Sequence, residues 1–234
     1  MIEKDKNQND IIVQELINSF EIDYIFESKP INRFKNKPTI ENTNYKLNNL
    51  KVKIQNINNC DLKSNAKQVV FNDGDTSSPV MIVGDGPGQK EDDLGKPFVG
   101  DAGQLLNKMF SAINLKRENI YLTNLINYMP PNNRKPEQTE IIRYSEFLRE
   151  HISIIDPKIL ILMGSIAMEA LFGSKIKISK ERGTWKELII NNKTYIVMIT
   201  FHPAYLLRQA DQKKYSWADL KEIKKKVDEL KLKI

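Results

Sequence analysis

The chain has 234 residues, enough for one domain of α/β size with a terminal extension and too few for two comfortable domains. Its 36 Lys and Arg against 30 Asp and Glu give a net charge of +6, which fits an anionic partner such as nucleic acid and a Lys-rich solvated surface equally well. The single cysteine, Cys60, excludes an internal disulfide and a four-cysteine metal or iron-sulfur site, and His151 and His202 alone make a poor basis for a zinc centre.

The N-terminal MIEKDKNQND lacks the apolar core of a signal peptide and no run reaches membrane-spanning length, so a soluble, cytoplasmic protein with no membrane partner is expected. Ile11, Ile12, Leu16, Ile17 and Phe20 fall at helical spacing and predict one amphipathic helix near residues 8–20. From Ser28 to Asn59 the chain is crowded with Asn and Lys; linker, loosely packed arm and second helix all remain open there. Residues 1–65 are therefore read as a helical, Asn- and Lys-rich extension, and residues 66–234 as the domain.

Four apolar runs then follow at α/β intervals, Val80–Val83, Ile120–Leu125, Ile159–Met163 and Tyr195–Thr200. Helical patterns lie between and after them, over Asp101–Ile113, Glu137–Ile155, Ser165–Phe172 and about Trp217–Leu232. Strands apolar on both faces that alternate with helices imply a parallel sheet covered on both sides. The expected fold is α/β, a three-layer αβα sandwich with a central four-stranded parallel sheet and an N-terminal helical extension.

Each predicted strand runs out into polar or small residues: Gly84 and Asp85, Thr123 and Asn124, Gly164 and Ser165, Phe201 and His202. In open α/β sheets ligands bind at the carboxyl ends of the strands, so a carboxylate, an amide and an imidazole can converge on one small ligand. The stretch VMIVGDGPGQKEDDLGKPFVGDAG adds glycines at Gly84, Gly86 and Gly88 and an aromatic, Phe98. It fits neither a P-loop nor a dinucleotide-binding loop, because Pro87 and the charged run Lys90–Asp93 interrupt it, and it lacks the serine of a hydrolase elbow.

GDGPGQKEDDLGKPFVGDAGQLL, YLTNLINYMPPNNRKP, ERGTW and FHPAYLLR together resemble, in order and spacing, the motifs of the uracil-DNA glycosylase superfamily, family 4, over roughly residues 60–225. The resemblance implies a monofunctional glycosylase that hydrolyses the N-glycosidic bond of a flipped-out deoxyuridine in DNA during base-excision repair. It assigns Phe98 to stacking on the base and Asn124 to reading uracil at N3–H and O4. It assigns His202 to stabilising the uracil anion and Asp85 to positioning water, with Gly84, Gly86 and Gly88 lining the pocket. It further places Pro130, Pro131 and Arg134 in a loop that compresses the DNA backbone, Ser165 at a phosphate, Leu206 in the gap left by the flipped base and Arg208 near phosphates, and it matches Arg182 with Gly183 to a further signature. A monomer acting on uracil-containing DNA is expected.

Two positions depart from the family pattern. Family 4 enzymes carry an iron-sulfur cluster on four cysteines, of which only Cys60 is present; by motif spacing Ile57, Tyr128 and Tyr144 stand at the others, so no cofactor and no metal are expected. Asp85 also replaces the usual Glu, a carboxylate one methylene shorter. Three alternatives follow: a weak or inactive relative that binds DNA or uracil, a glycosylase for another deaminated base, and an enzyme for small nucleosides or nucleotides using the same pocket.

Overall fold

In the computed structural model, which describes residues 40–234, one sheet is built from β1 (Asn72–Gly74), β2 (Val80–Gly84), β3 (Tyr121–Asn124), β4 (Ile159–Met163), β5 (Trp185–Ile190) and β6 (Lys193–Thr200). The spatial order is β1-β3-β2-β4-β6-β5. The four central strands are the four apolar runs of the sequence, all parallel, and β1 and β5 add to the two edges antiparallel. The expected parallel sheet is thus the centre of a mixed six-stranded one.

The edge strands have local causes. Asn191 and Asn192 both adopt positive φ, which suits the two-residue hairpin turn joining β5 to β6. At the other edge the Thr123 hydroxyl donates to the Phe71 carbonyl at 2.6 Å, next to the β1–β3 pairing.

Period-2 alternation divides the strand side chains between two cores. Met81, Val83, Leu160, Leu162, Val197 and Ile199 face one, while Val80, Ile82, Ile159, Ile161, Met163 and Met198 face the other. Helices cover both faces: α1 (Ile40–Gln55), α2 (Asp61–Asn65), α3 (Gln89–Leu94), α4 (Asp101–Ser111), α5 (Gln138–Ile155), α6 (Ser165–Phe172), α7 (Ile178–Glu181), α8 (Pro203–Arg208) and α9 (Lys213–Glu229). The first core takes its helical side chains from α1, α5 and α6, the second from α4 and α9.

Helix α1 accounts for the described part of the Asn- and Lys-rich segment. Leu47, Leu50 and Ile54 recur at helical spacing and are buried in the first core, each contributing roughly 1.5–3 kcal/mol of apolar burial. The compact unit that holds the sheet runs from Pro38 to Ile234, so this helix belongs to it and not to an extension ending at residue 65. The helix expected near residues 8–20 lies outside the described residues. Among those described, no helix is long and apolar enough to cross a membrane.

Parallel register puts the strand ends on one line, with Gly84 opposite Asn124 and Met163 opposite Thr200. Asp85, Asn124, Gly164 and His202 therefore emerge along one edge.

Candidate active site

Asp85 is the first residue past β2. Its backbone stays zipped to the neighbouring strand end, the Leu125 amide donating to Gly84 O at 2.9 Å and the Ile126 amide to Asp85 O at 3.1 Å. Its side chain turns to the start of α6, where Oδ1 accepts the amides of Ile166 at 3.1 Å and Ala167 at 2.9 Å. Gly164 permits this approach: its φ is +111°, and a Cβ there would lie 2.4 Å from both carboxylate oxygens. Burial pushes the Asp85 carboxyl above its ordinary range, while His202 and the two helix amides pull it back toward the anion. Oδ2 accepts no hydrogen bond from the described residues, which leaves one oxygen free for a ligand or water.

Asn124 and Phe98 meet over Gly84, where a Cβ would lie 2.5 Å from Asn124 Oδ1 and 2.5 Å from the edge of the Phe98 ring. Only a glycine allows the amide and the ring to close over the strand end. Asn124 is buried, yet its side-chain amide makes no hydrogen bond among the described residues. The Phe98 ring stacks beside the His202 imidazole, centroids 5.9 Å apart and planes at 25°.

His202 is the N-cap of α8, and its Nδ1 accepts the Ala204 amide at 3.1 Å. A ring nitrogen that accepts carries no proton, so the neutral imidazole holds its hydrogen on Nε2. Burial lowers the His202 pKa while the nearby Asp85 raises it. Nε2 is buried with no hydrogen-bond partner. A buried donor without an acceptor carries a desolvation cost of about 1–3 kcal/mol, which a bound ligand oxygen offsets.

Sequence reasoning missed the residues that hold these loops. Glu91 Oε1 accepts the amides of Val99 and Gly100 at 3.0 and 2.8 Å, and Oε2 accepts that of Gly88 at 3.2 Å. Only half of a capping box forms here, Glu91 reaching back to the Gly88 amide, because glycine has no side chain to cap with, so the sequence carried no capping-box signature. Arg117 donates to the carbonyls of Pro97 and Phe98 and pairs with Asp73 of β1. Nothing in the sequence links positions so far apart. Gly86 lies against Ile126, where a Cβ would come within 3.3 Å.

The residues expected to face DNA divide. Leu206 is fully buried, which removes it as a wedge; Pro203 at the first turn directs positions 203 and 206 inward, and Leu207, 47 % exposed, points outward instead. Arg208 is exposed and has no ion-pair partner among the described residues. Arg134 is not free, because its guanidinium is held by both Glu140 oxygens at 2.8 and 2.7 Å. Pro130 is buried and Pro131 opens a tight turn in which Asn132 and Asn133 have positive φ. Ser165 is exposed, but Asp85 already occupies the next two amides, so the helix start is no free phosphate cradle. Arg182 pairs with the buried Asp219 and lies over the Phe201 and Tyr215 rings, a packing role. His151 is buried against Tyr121 Oη at 2.6 Å, its pKa lowered to about 3 by burial.

A family model described as the uracil DNA glycosylase superfamily matches residues 71–223. A type-4 uracil-DNA glycosylase of Thermotoga maritima is 38 % identical over 150 residues, 64 % of this chain and 77 % of the relative. The type-4 uracil-DNA glycosylase of Sulfurisphaera tokodaii is 36 % identical over 187 residues, 76 % of this chain and 83 % of its own. That of Saccharolobus solfataricus is 36 % identical over 170 residues, covering 70 % and 79 %.

These relatives correct the expectation that no cofactor is involved. They are type-4 enzymes, the kind that contains an iron-sulfur cluster, so the group to which this chain is similar does imply one. The residues at the corresponding positions do not fit it. The Cys60 thiol is buried 3.5 Å from Tyr144 Oη, and Ile57, Tyr128 and Tyr144 pack in the same core. Among the described residues no group of three or more His, Cys, Asp or Glu is arranged to hold a metal. With a matching family model over more than half of its length and relatives above 30 % identity, the chain belongs to the uracil DNA glycosylase superfamily and is a DNA glycosylase by that membership.

Proposed function

We propose that the chain is a monofunctional uracil-DNA glycosylase acting as a monomer on uracil-containing DNA. The observation that carries this reading is the buried, unpartnered Nε2–H of a neutral His202, in a site shared with a carboxylate fixed on a helix start. Such a donor suits an oxygen that becomes anionic during the reaction.

To reach a base inside a duplex the enzyme extrudes the nucleotide, at a cost of a few kcal/mol. The flipped base stacks on Phe98. The Asn124 amide accepts from N3–H through its oxygen and donates to O4 through its nitrogen, a pattern that cytosine reverses. As the bond from C1′ to N1 breaks, positive charge grows on the sugar and negative charge on the base. His202 Nε2–H donates to O2, an interaction that strengthens only as that charge develops. Asp85 opposes the sugar cation and orients water through its free oxygen. Water attacks C1′, its proton passes to the carboxylate, and uracil leaves as the anion. No lysine or N-terminal amine is needed, hence monofunctional.

On the DNA side, Leu207 is the α8 leucine available to enter the gap, and Arg208 follows it at the phosphates. Asp85 directly follows Gly84, over which Asn124 and Phe98 meet, and this proximity favours turnover over binding alone.

The test is single-turnover uracil release from an oligonucleotide with one dU, by wild type and by Asp85→Ala, Asn124→Ala and His202→Ala. Removing a donor to a developing oxyanion costs about 100- to 1,000-fold, the loss expected for His202→Ala. Asp85→Ala is expected to lose at least as much, and Asn124→Ala to lose discrimination against cytosine as well as rate. Folded wild type that binds the oligonucleotide without releasing uracil would sink this reading.

A further inference from the structure

We propose that Arg117, oriented by Asp73, is a positioning residue for the stacking wall: from outside the pocket it fixes the backbone of Pro97 and Phe98 so that the Phe98 ring lies across the strand ends. The proposal rests on the reading of Phe98 as the face that takes the base.

Phe98 has a φ of +55°, the left-handed region that side chains with a Cβ rarely adopt. Surrounding structure has to impose that conformation. Arg117 lies in the short turn Arg117–Asn119 that precedes β3. Its Nη1 donates to Phe98 O at 2.8 Å and its Nη2 to Pro97 O at 2.7 Å, so both carbonyls are drawn toward one guanidinium. Asp73 Oδ2 accepts Nε at 2.9 Å and Nη2 at 2.7 Å, and Asn107 Oδ1 accepts Nη1 at 3.3 Å. On the other side of Phe98, Glu91 takes the amides of Val99 and Gly100. A cation thus holds the carbonyls before the bend and an anion holds the amides after it. Gly103 completes the seat, since a Cβ there would lie 1.8 Å from Phe98 O.

A guanidinium carries five N–H donors, and all five are accounted for by these contacts. Arg117 therefore has no donor left for a phosphate, which separates it from a DNA contact. Lysine offers three donors without the planar fork, so it cannot hold both carbonyls and Asp73 together.

The experiment compares wild type, Arg117→Lys and Asp73→Asn, each also combined with Phe98→Leu, after melting curves show that every variant is folded. Single-turnover uracil release is expected to slow about tenfold in Arg117→Lys and by less in Asp73→Asn, because misplacing a group by ~1 Å costs up to ~100-fold. Affinity for undamaged duplex and its salt slope are expected to stay unchanged. In the Phe98→Leu background the Arg117 effect is expected to vanish, as coupled residues require. Amide exchange is expected to speed up in residues 97–100 of Arg117→Lys. An unchanged rate overturns the proposal, as does an equal loss in the Phe98→Leu background, which marks a general structural role. A salt slope reduced by about one marks a phosphate contact and overturns it too. A wild type that releases no uracil fails the functional reading instead, and the exchange measurement, which needs no turnover, then tests the clamp by itself.

Discussion

Replacing Gly164 with alanine perturbs the site without substituting any residue that meets the substrate. The added Cβ would lie 2.4 Å from both oxygens of Asp85, where ordinary contact begins near 3.4 Å, so the carboxylate has to retreat by about 1 Å. A misplacement of that size costs about 100-fold in rate. The same retreat breaks the bonds from Ile166 and Ala167, and alanine at φ +111° and ψ 164°, a region essentially reserved for glycine, adds strain of about 1–3 kcal/mol. With part of the carboxylate's hydration recovered, the net loss of stability is roughly 2–4 kcal/mol. Each kcal/mol lowers the melting temperature by about 2–4 °C in a domain of this size. Gly173→Ala is the control: its φ is +93°, it ends the same helix, and nothing lies within 4 Å of the added Cβ. Both variants are expected to melt earlier, and only Gly164→Ala is expected to lose single-turnover uracil release. A folded Gly164→Ala that works within about threefold of wild type, or a Gly173→Ala that slows as much, would refute the reasoning.

Other expectations follow from the same geometry. Leu206→Ala is expected to destabilise by about 2–5 kcal/mol in a melting curve. Leu207→Ala should leave stability unchanged and slow excision from duplex more than from single-stranded DNA, where there is no gap to fill. Arg208→Ala is expected to reduce the salt slope of DNA binding by about one, and Arg134→Ala to leave it alone, because Glu140 already neutralises that guanidinium. His151 titrates near 3 when folded against 6.5 when free, so the unfolded state binds the extra proton between those values. Stability is therefore expected to fall as pH drops through that window, by up to about 1.4 kcal/mol per pH unit from this group, and His151→Phe is expected to flatten the denaturant-derived profile.

The central strands were legible because each is apolar on both faces, a pattern that only a covered parallel sheet requires. The edge strands were not: β1 reads Asn-Asp-Gly, a turn by composition, and its pairing with β3 is visible only in three dimensions. In α1 the buried Leu47, Leu50 and Ile54 are diluted by asparagines, so the helical stripe did not stand out from a linker or a loose arm. The convergence of Asp85, Asn124 and His202 was legible because parallel strand ends meet along one edge by topology. Glu91 and Arg117 could not, because their partners are backbone amides and carbonyls, which no sequence pattern names. That Leu207 rather than Leu206 faces solvent was not legible either. A six-residue helix opened by proline is too short for periodicity to say which of two adjacent leucines faces solvent.

The most direct test of uracil excision is to incubate the purified protein in excess over matched oligonucleotides carrying a single dU or a single dC, and to quantify free base and alkali-labile abasic sites together. Uracil and abasic sites in equal amounts from the dU strand, with none from the dC strand, is the result predicted by a neutral His202 donor, an Asn124 reader and an Asp85 water site. Release of neither, from folded protein that still binds both strands, would contradict it.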